Sequence, residues 1–202
     1  MKRSAINSNR KTMCLVVVDF YDGIMMKKKY VATALFAAPM ALALSGCSVS
    51  DLMTDKYDES TEKTAKSSQE AVSSGLLPNW VPEGGSNIKL MQRNTGMERI
   101  FVMDYNADVP HDKCLALNTV GKPSEAELKK AYASDSRTKD FAAKEISSTR
   151  TLEADWWPEN AENQTTNLCG RFWVHVADGK LYAFAPDTTN TVQAVQRERD
   201  AA

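Results

Sequence analysis

The sequence predicts a small α+β domain of two antiparallel hairpins with a helix between them, occupying residues 75–187. Three observations carry this expectation. Apolar-rich runs at 88–93 and 97–105 flank the turn signal Asn94-Thr95-Gly96, and runs at 168–176 and 181–185 flank Ala177-Asp178-Gly179-Lys180. Asp-Gly at the centre of the second pair favours a two-residue type I′ turn, because both positions then need positive φ. Between the hairpins, "PSEAELKKAYAS" reads as a helix. Ser124 and Glu127 form a capping box, Leu128, Ala131 and Tyr132 share a face, and Glu125 with Lys129 makes a favourable i,i+4 pair. Roughly 110 residues suffice for one domain.

The chain ahead of this domain falls into three parts. Lys27, Lys28 and Lys29 open an apolar stretch over residues 30–44. About 15 residues are too few to span a ~30 Å hydrocarbon core as a helix, so 25–46 reads as a secretory signal peptide. Residues 1–24, which contain Cys14, precede that signal and read as an extension upstream of a true start at Met25 or Met26. Residues 48–74 are rich in Ser, Thr, Lys and Glu and poor in large apolar groups, and so read as a flexible tether with a marginal helix over 61–72. Residues 188–202 read as a polar C-terminal tail.

Leu44-Ser45-Gly46-Cys47 resembles the lipobox of bacterial lipoproteins. The resemblance implies that Cys47 carries a thioether-linked diacylglycerol and becomes the first residue of the mature chain. It further implies a membrane anchor, with the domain on the extracytoplasmic face of the cell membrane. Two acyl chains meet the requirement for stable anchoring at about 0.8 kcal/mol per buried methylene. Beyond Cys47 the chain has 18 basic and 24 acidic residues, a formal charge of −6. Such a balance offers no electrostatic case for binding nucleic acid or anionic headgroups.

Only Cys114 and Cys169 fall in the domain. In an oxidising compartment two such residues pair, closing a loop of about 55 residues. The rival reading, a redox or metal pair, lacks a CxxC spacing and a histidine within four residues of Cys169. The order "LPNWVP", "RNTGMERI", Cys114, "LEADWWP" and "LCGRFWVHVADGKLYAFAPD" is similar to a group of actinobacterial lipoproteins, with residues 122–151 resembling an insertion. No activity and no catalytic residue come with that likeness.

With a two-residue turn, His175 lies opposite Tyr182 and Trp173 opposite Phe184. Alternation then puts Trp173, His175, Tyr182 and Phe184 on one face, with Arg171 and Cys169 at its end, and Val174, Val176, Leu181 and Ala183 on the other. The aromatic face, with Trp156 and Trp157, is a candidate binding platform. The competing expectation is a second core layer closed by Trp156 and Trp157, favoured because exposed aromatic patches are uncommon on monomers. His111 reads as a surface loop residue.

No catalytic residue, metal ligand or cofactor site is assigned. There is no GxSxG, and the two histidines lack an HxH or HxxxH spacing. The expectation is a binding or scaffolding module whose partner is an envelope protein or cell-wall ligand. The alternative is an envelope hydrolase acting on cell-wall glycan or peptide through Glu153, Asp155, Glu159 and Glu162 of the Trp-rich loop.

Overall fold

The computed structural model describes residues 56–202. The extension 1–24, the signal segment 25–46, Cys47 and residues 48–55 lie outside them. The described residues build one seven-stranded antiparallel sheet in the order β1-β2-β3-β7-β6-β5-β4. Its strands are β1 (Ser60–Ser67), β2 (Ser86–Arg93), β3 (Arg99–Asp104), β4 (Leu115–Ala116), β5 (Asn167–Cys169), β6 (Phe172–Ala177) and β7 (Lys180–Ala185). Three helices accompany them: α1 (Ser68–Ser73), α2 (Glu125–Tyr132) and α3 (Thr189–Asp200). The α+β expectation holds at this level, with more strands and helices than two hairpins and a helix.

Both turns form where the sequence signals them. Asp178 and Gly179 have φ of 52° and 72°, as a type I′ turn demands. Ser124 caps α2 by accepting from the Glu127 amide, and the Glu127 carboxylate accepts from the Ser124 amide in return. Two segments differ from expectation. Residues 60–73, read as tether, form β1 and α1, with Lys63 opposite Leu90 and Ala65 opposite Ile88. β1 lacks an alternating apolar pattern because it is an edge strand, so pairing with β2 rather than its own burial holds it. Residues 189–200, read as a tail, form α3, capped by Thr188 and buried at Val192 and Val195.

The sheet is covered on both sides. On one, Ile88, Leu90, Phe101, Met103, Val174 and Leu181 meet Ala71 of α1 and Leu77, Trp80 and Val81 of the following loop. On the other, Ile100, Trp173 and Phe184 meet Ala131 and Tyr132 of α2, Ile146, Leu152 and Trp157. The segment 122–151 therefore supplies core residues on this second side. The Cys114–Cys169 disulfide joins the strand next to the sheet's far edge to the loop that leads into β4.

A polar network, buried only at Arg93, anchors the chain where it enters the domain. The Tyr57 and Asp58 amides donate to Glu198 at 2.7 and 2.9 Å, and Asp58 pairs with Arg199 at 2.6 Å and Arg93 at 3.0 Å. The Arg199 guanidinium, followed by Arg93, holds the Asp58 carboxyl below the usual carboxylate range. The tether reading therefore fails at Tyr57 already, since this residue is tied to the last helix.

Candidate functional site

The β6–β7 register is as the sequence predicts, with His175 opposite Tyr182 and Trp173 opposite Phe184. The His175 ring stacks on Tyr182 at 4.9 Å and 15°, and Trp173 meets Phe184 edge-on at 6.0 Å. Phe184, His175 and Trp173 are buried. Trp157 closes over them, edge-on to Tyr182 at 5.9 Å. The Trp173 indole N–H donates to the Tyr132 hydroxyl at 3.3 Å. The candidate platform at Trp173, His175, Phe184 and Trp157 is thus core, closed as the competing expectation held. Burial pushes the His175 pKa down, which leaves the ring neutral at pH 7.

Of the two residues expected at the end of that face, Arg171 lies there, bonded to Met97 on the Trp173 side of the sheet, and Cys169 does not. Gly170, at φ 58°, starts a tight turn that separates β5 from β6. Alternation therefore does not run through it. Cys169 lies opposite Phe172 and joins the other side of the core. The Arg171 guanidinium is buried, donates to the Met97 carbonyl, sits 3.8 Å from Asp135 and lies over the Phe172 ring at 5.0 Å.

Burial also raises the Tyr132 pKa, to about 12. A phenol that keeps its proton longer in the fold than in the unfolded chain adds stability below pH 10 that is lost as pH rises to 12. Between those values the wild type is expected to lose of order 2 kcal/mol of unfolding free energy relative to Tyr132→Phe. Urea titrations of both proteins at pH 9 and pH 12 check this; equal pH slopes would refute it.

The acidic residues of the Trp-rich loop take separate structural roles. Glu153 pairs with Arg199 at 3.0 Å, while Glu162 pairs with Arg150 at 3.4 Å and accepts from the Trp157 indole at 3.3 Å. Asp155 and Glu159 are exposed, and so is His111. Among the described residues no group of three or more His, Cys, Asp or Glu side chains could hold a metal ion.

Of the clefts outside the closed core, two bear on a binding role. The smaller, about 180 Å³, is lined by Trp156, Tyr182, Val102, Asn87, Lys89, Asp104 and Lys180. Trp156 packs at the rim of the second core layer, edge-on to Trp157 at 6.3 Å. It is half-buried and donates to Glu62 of β1 at 3.0 Å. Thus two of the six candidate platform residues, Trp156 and Tyr182, do meet at an opening. Asp104 on its rim accepts from Asn87 at 2.6 Å and Lys180 at 2.5 Å, which lowers its pKa.

The larger cleft, about 450 Å³, lies between α1 and the loop after it, with Val72, Asn79, Trp80, Pro82, Pro110 and Lys113 among its lining. Its size and mixed lining fall in the range of small-ligand sites. Trp80 packs on Phe101 at 5.9 Å and Phe172 at 5.6 Å. Its indole nitrogen is buried and has no acceptor. An unpaired buried donor costs about 1–3 kcal/mol, and a buried water or a bound acceptor would offset that. Sequence reasoning passed over this cleft; the only local signal is a tryptophan set between prolines in "LPNWVP". No family model, curated protein or solved structure matches the chain.

Proposed function

We propose that this chain is a lipid-anchored protein of the extracytoplasmic face of the cell membrane, whose small α+β domain binds or scaffolds rather than catalyses. The observation that carries the anchor is Leu44-Ser45-Gly46-Cys47 standing at the end of a basic head and an apolar run. The Cys114–Cys169 bond supports export, since structural disulfides belong to oxidising compartments. Support for a binding role comes from the 450 Å³ cleft beside Trp80, whose lining mixes apolar and polar side chains. The hydrolase alternative loses ground because Glu153 and Glu162 are each engaged by an arginine rather than turned toward one cleft.

Replacement of Cys47 by Ser tests the anchor. The wild type is expected to incorporate labelled fatty acid and to partition into detergent-soluble membrane fractions. Cys47→Ser is expected to lose the label and to appear in the medium or as an uncleaved precursor. Retained label and unchanged membrane partition in that variant would sink the lipoprotein reading.

A further inference from the structure

β1 is the long open edge of the sheet. The other edge, β4, has two residues, too few to extend a ladder. Among the described residues β2 is the only strand that pairs with β1, and Ser60 to Thr64 are all exposed. The orientation of its main chain can be assigned. In an antiparallel ladder the N–H and C=O of one residue point to the same side and alternate along the strand. The Glu59 carbonyl accepts from Asn94 across the β2 side, so Thr61, Lys63 and Ala65 bond inward. The Lys66 amide instead donates to the Glu70 carboxylate at 3.0 Å, away from β2. Ser60, Glu62, Thr64 and Lys66 therefore present their main-chain groups outward.

The side chains on that edge are charged in a self-complementary order. Direct opposition across an antiparallel pair of identical strands joins residues of equal parity, because only outward groups can meet. Pairing about Glu62 or about Lys63 would set like charges face to face, which is destabilising. Pairing about Thr64 sets Thr64 against Thr64, and Glu62 against Lys66 of the second copy, twice. On the opposite face Lys63 then meets Ala65. Edge lysines such as these oppose indiscriminate strand addition, but this register gives Lys66 a carboxylate partner and sets no like charges opposite one another.

We infer that β1 forms a two-fold antiparallel pair with β1 of a second copy, centred on Thr64 and selected by reciprocal Glu62–Lys66 ion pairs. The pair joins two sheets into one and closes the open edge. About six main-chain hydrogen bonds form across it, in an isologous interface. The Glu62 carbonyl of one copy replaces Glu70 as acceptor for the Lys66 amide of the other. The inference does not depend on the lipid anchor, since it uses only residues 59–70.

Sedimentation of the full chain in detergent micelles, over a range of protein concentrations, combined with carbodiimide coupling, tests it. Within one extended strand Glu62 and Lys66 are about 13 Å apart, beyond the reach of a zero-length coupling. A Glu62–Lys66 cross-link found in the covalent dimer is therefore intermolecular. Glu62→Lys and Lys66→Glu are each expected to weaken association about tenfold or more, and the double exchange E62K/K66E to restore it. The double variant lacks the Trp156–Glu62 hydrogen bond as surely as E62K does, so recovery cannot come from that contact. A monomer at every concentration, a dimer indifferent to the single reversals, or single losses that the double exchange does not rescue would each overturn the inference.

Discussion

Reduction of the Cys114–Cys169 bond is expected to lower the thermal midpoint by roughly 10–20 °C, and Cys114→Ala to do the same without reductant. The bond spans a sequence separation of 55. In the chain-entropy model a loop of that length restrains the unfolded chain by about 4 kcal/mol, a large share of the ~5–15 kcal/mol that such a domain has in total. The location adds to the effect. Cys169 is fully buried in the core beside Phe172, and Cys114 leads into β4, a strand of two residues that has little else to hold it. Loss of the bond should therefore free the 105–117 segment first. Differential scanning calorimetry with and without reductant, with thiol alkylation read by intact mass, checks this. Two freely alkylated thiols in the unreduced exported protein would refute it.

The elements that sequence made legible are those fixed by local chemistry. Asp178-Gly179 sets its own turn through two positive φ values, and with the turn comes the whole β6–β7 register. Ser124 and Glu127 write their capping box three residues apart. β1 is the opposite case. "STEKTAKS" has one apolar residue, Ala65, and nothing in it distinguishes a guarded edge strand from a solvated tether until β2 is placed beside it. α3 was legible in principle, since Thr188 caps it and Val192 and Val195 stand three apart, but its two buried valines are few against twelve residues. The Gly170-Arg171 turn shows a third limit. Alternation carried through one extra turn assigns Cys169 to the wrong side of the sheet.

The same distinction applies to the clefts. Trp157 covers Tyr182 and completes the second core layer, an outcome that apolar area alone predicts. Trp156, one residue before it, stays half-buried at the rim of that layer with its indole donating to the Glu62 carboxylate on β1, a strand not legible in the sequence. Trp80 reaches Phe101 and Phe172 from a loop with no periodicity at all, so neither its burial nor its unpaired N–H could be read before the loop was folded over the sheet.

Glu98→Ala is expected to destabilise the domain by about 3–5 kcal/mol, although Glu98 sits in a connection and belongs to no strand. It is completely buried. One carboxylate oxygen accepts from the Thr151 and Leu152 amides at 2.6 and 2.9 Å; the other accepts from the Thr151 hydroxyl and lies 3.4 Å from the Arg93 guanidinium. Arg93 itself is buried and also donates to the Tyr57 carbonyl at 2.8 Å and the Thr151 hydroxyl at 2.8 Å. Removing the carboxylate leaves two buried amides without acceptors and a buried guanidinium short of one of its two counter-charges. Each orphaned group costs about 1–3 kcal/mol, more when charged. Glu98→Gln should fall between, since its carbonyl oxygen can still take the two amides while its NH₂ turns a donor toward Arg93. Glu153→Ala supplies the comparison. Its side chain is 78% exposed and pairs with Arg199 at the surface, so its loss should cost less than about 1 kcal/mol. Urea midpoints of the three variants decide the matter: if Glu98→Ala unfolds no more readily than Glu153→Ala, the buried network does not hold the β2–β3 turn, the 150s segment and the entering chain together.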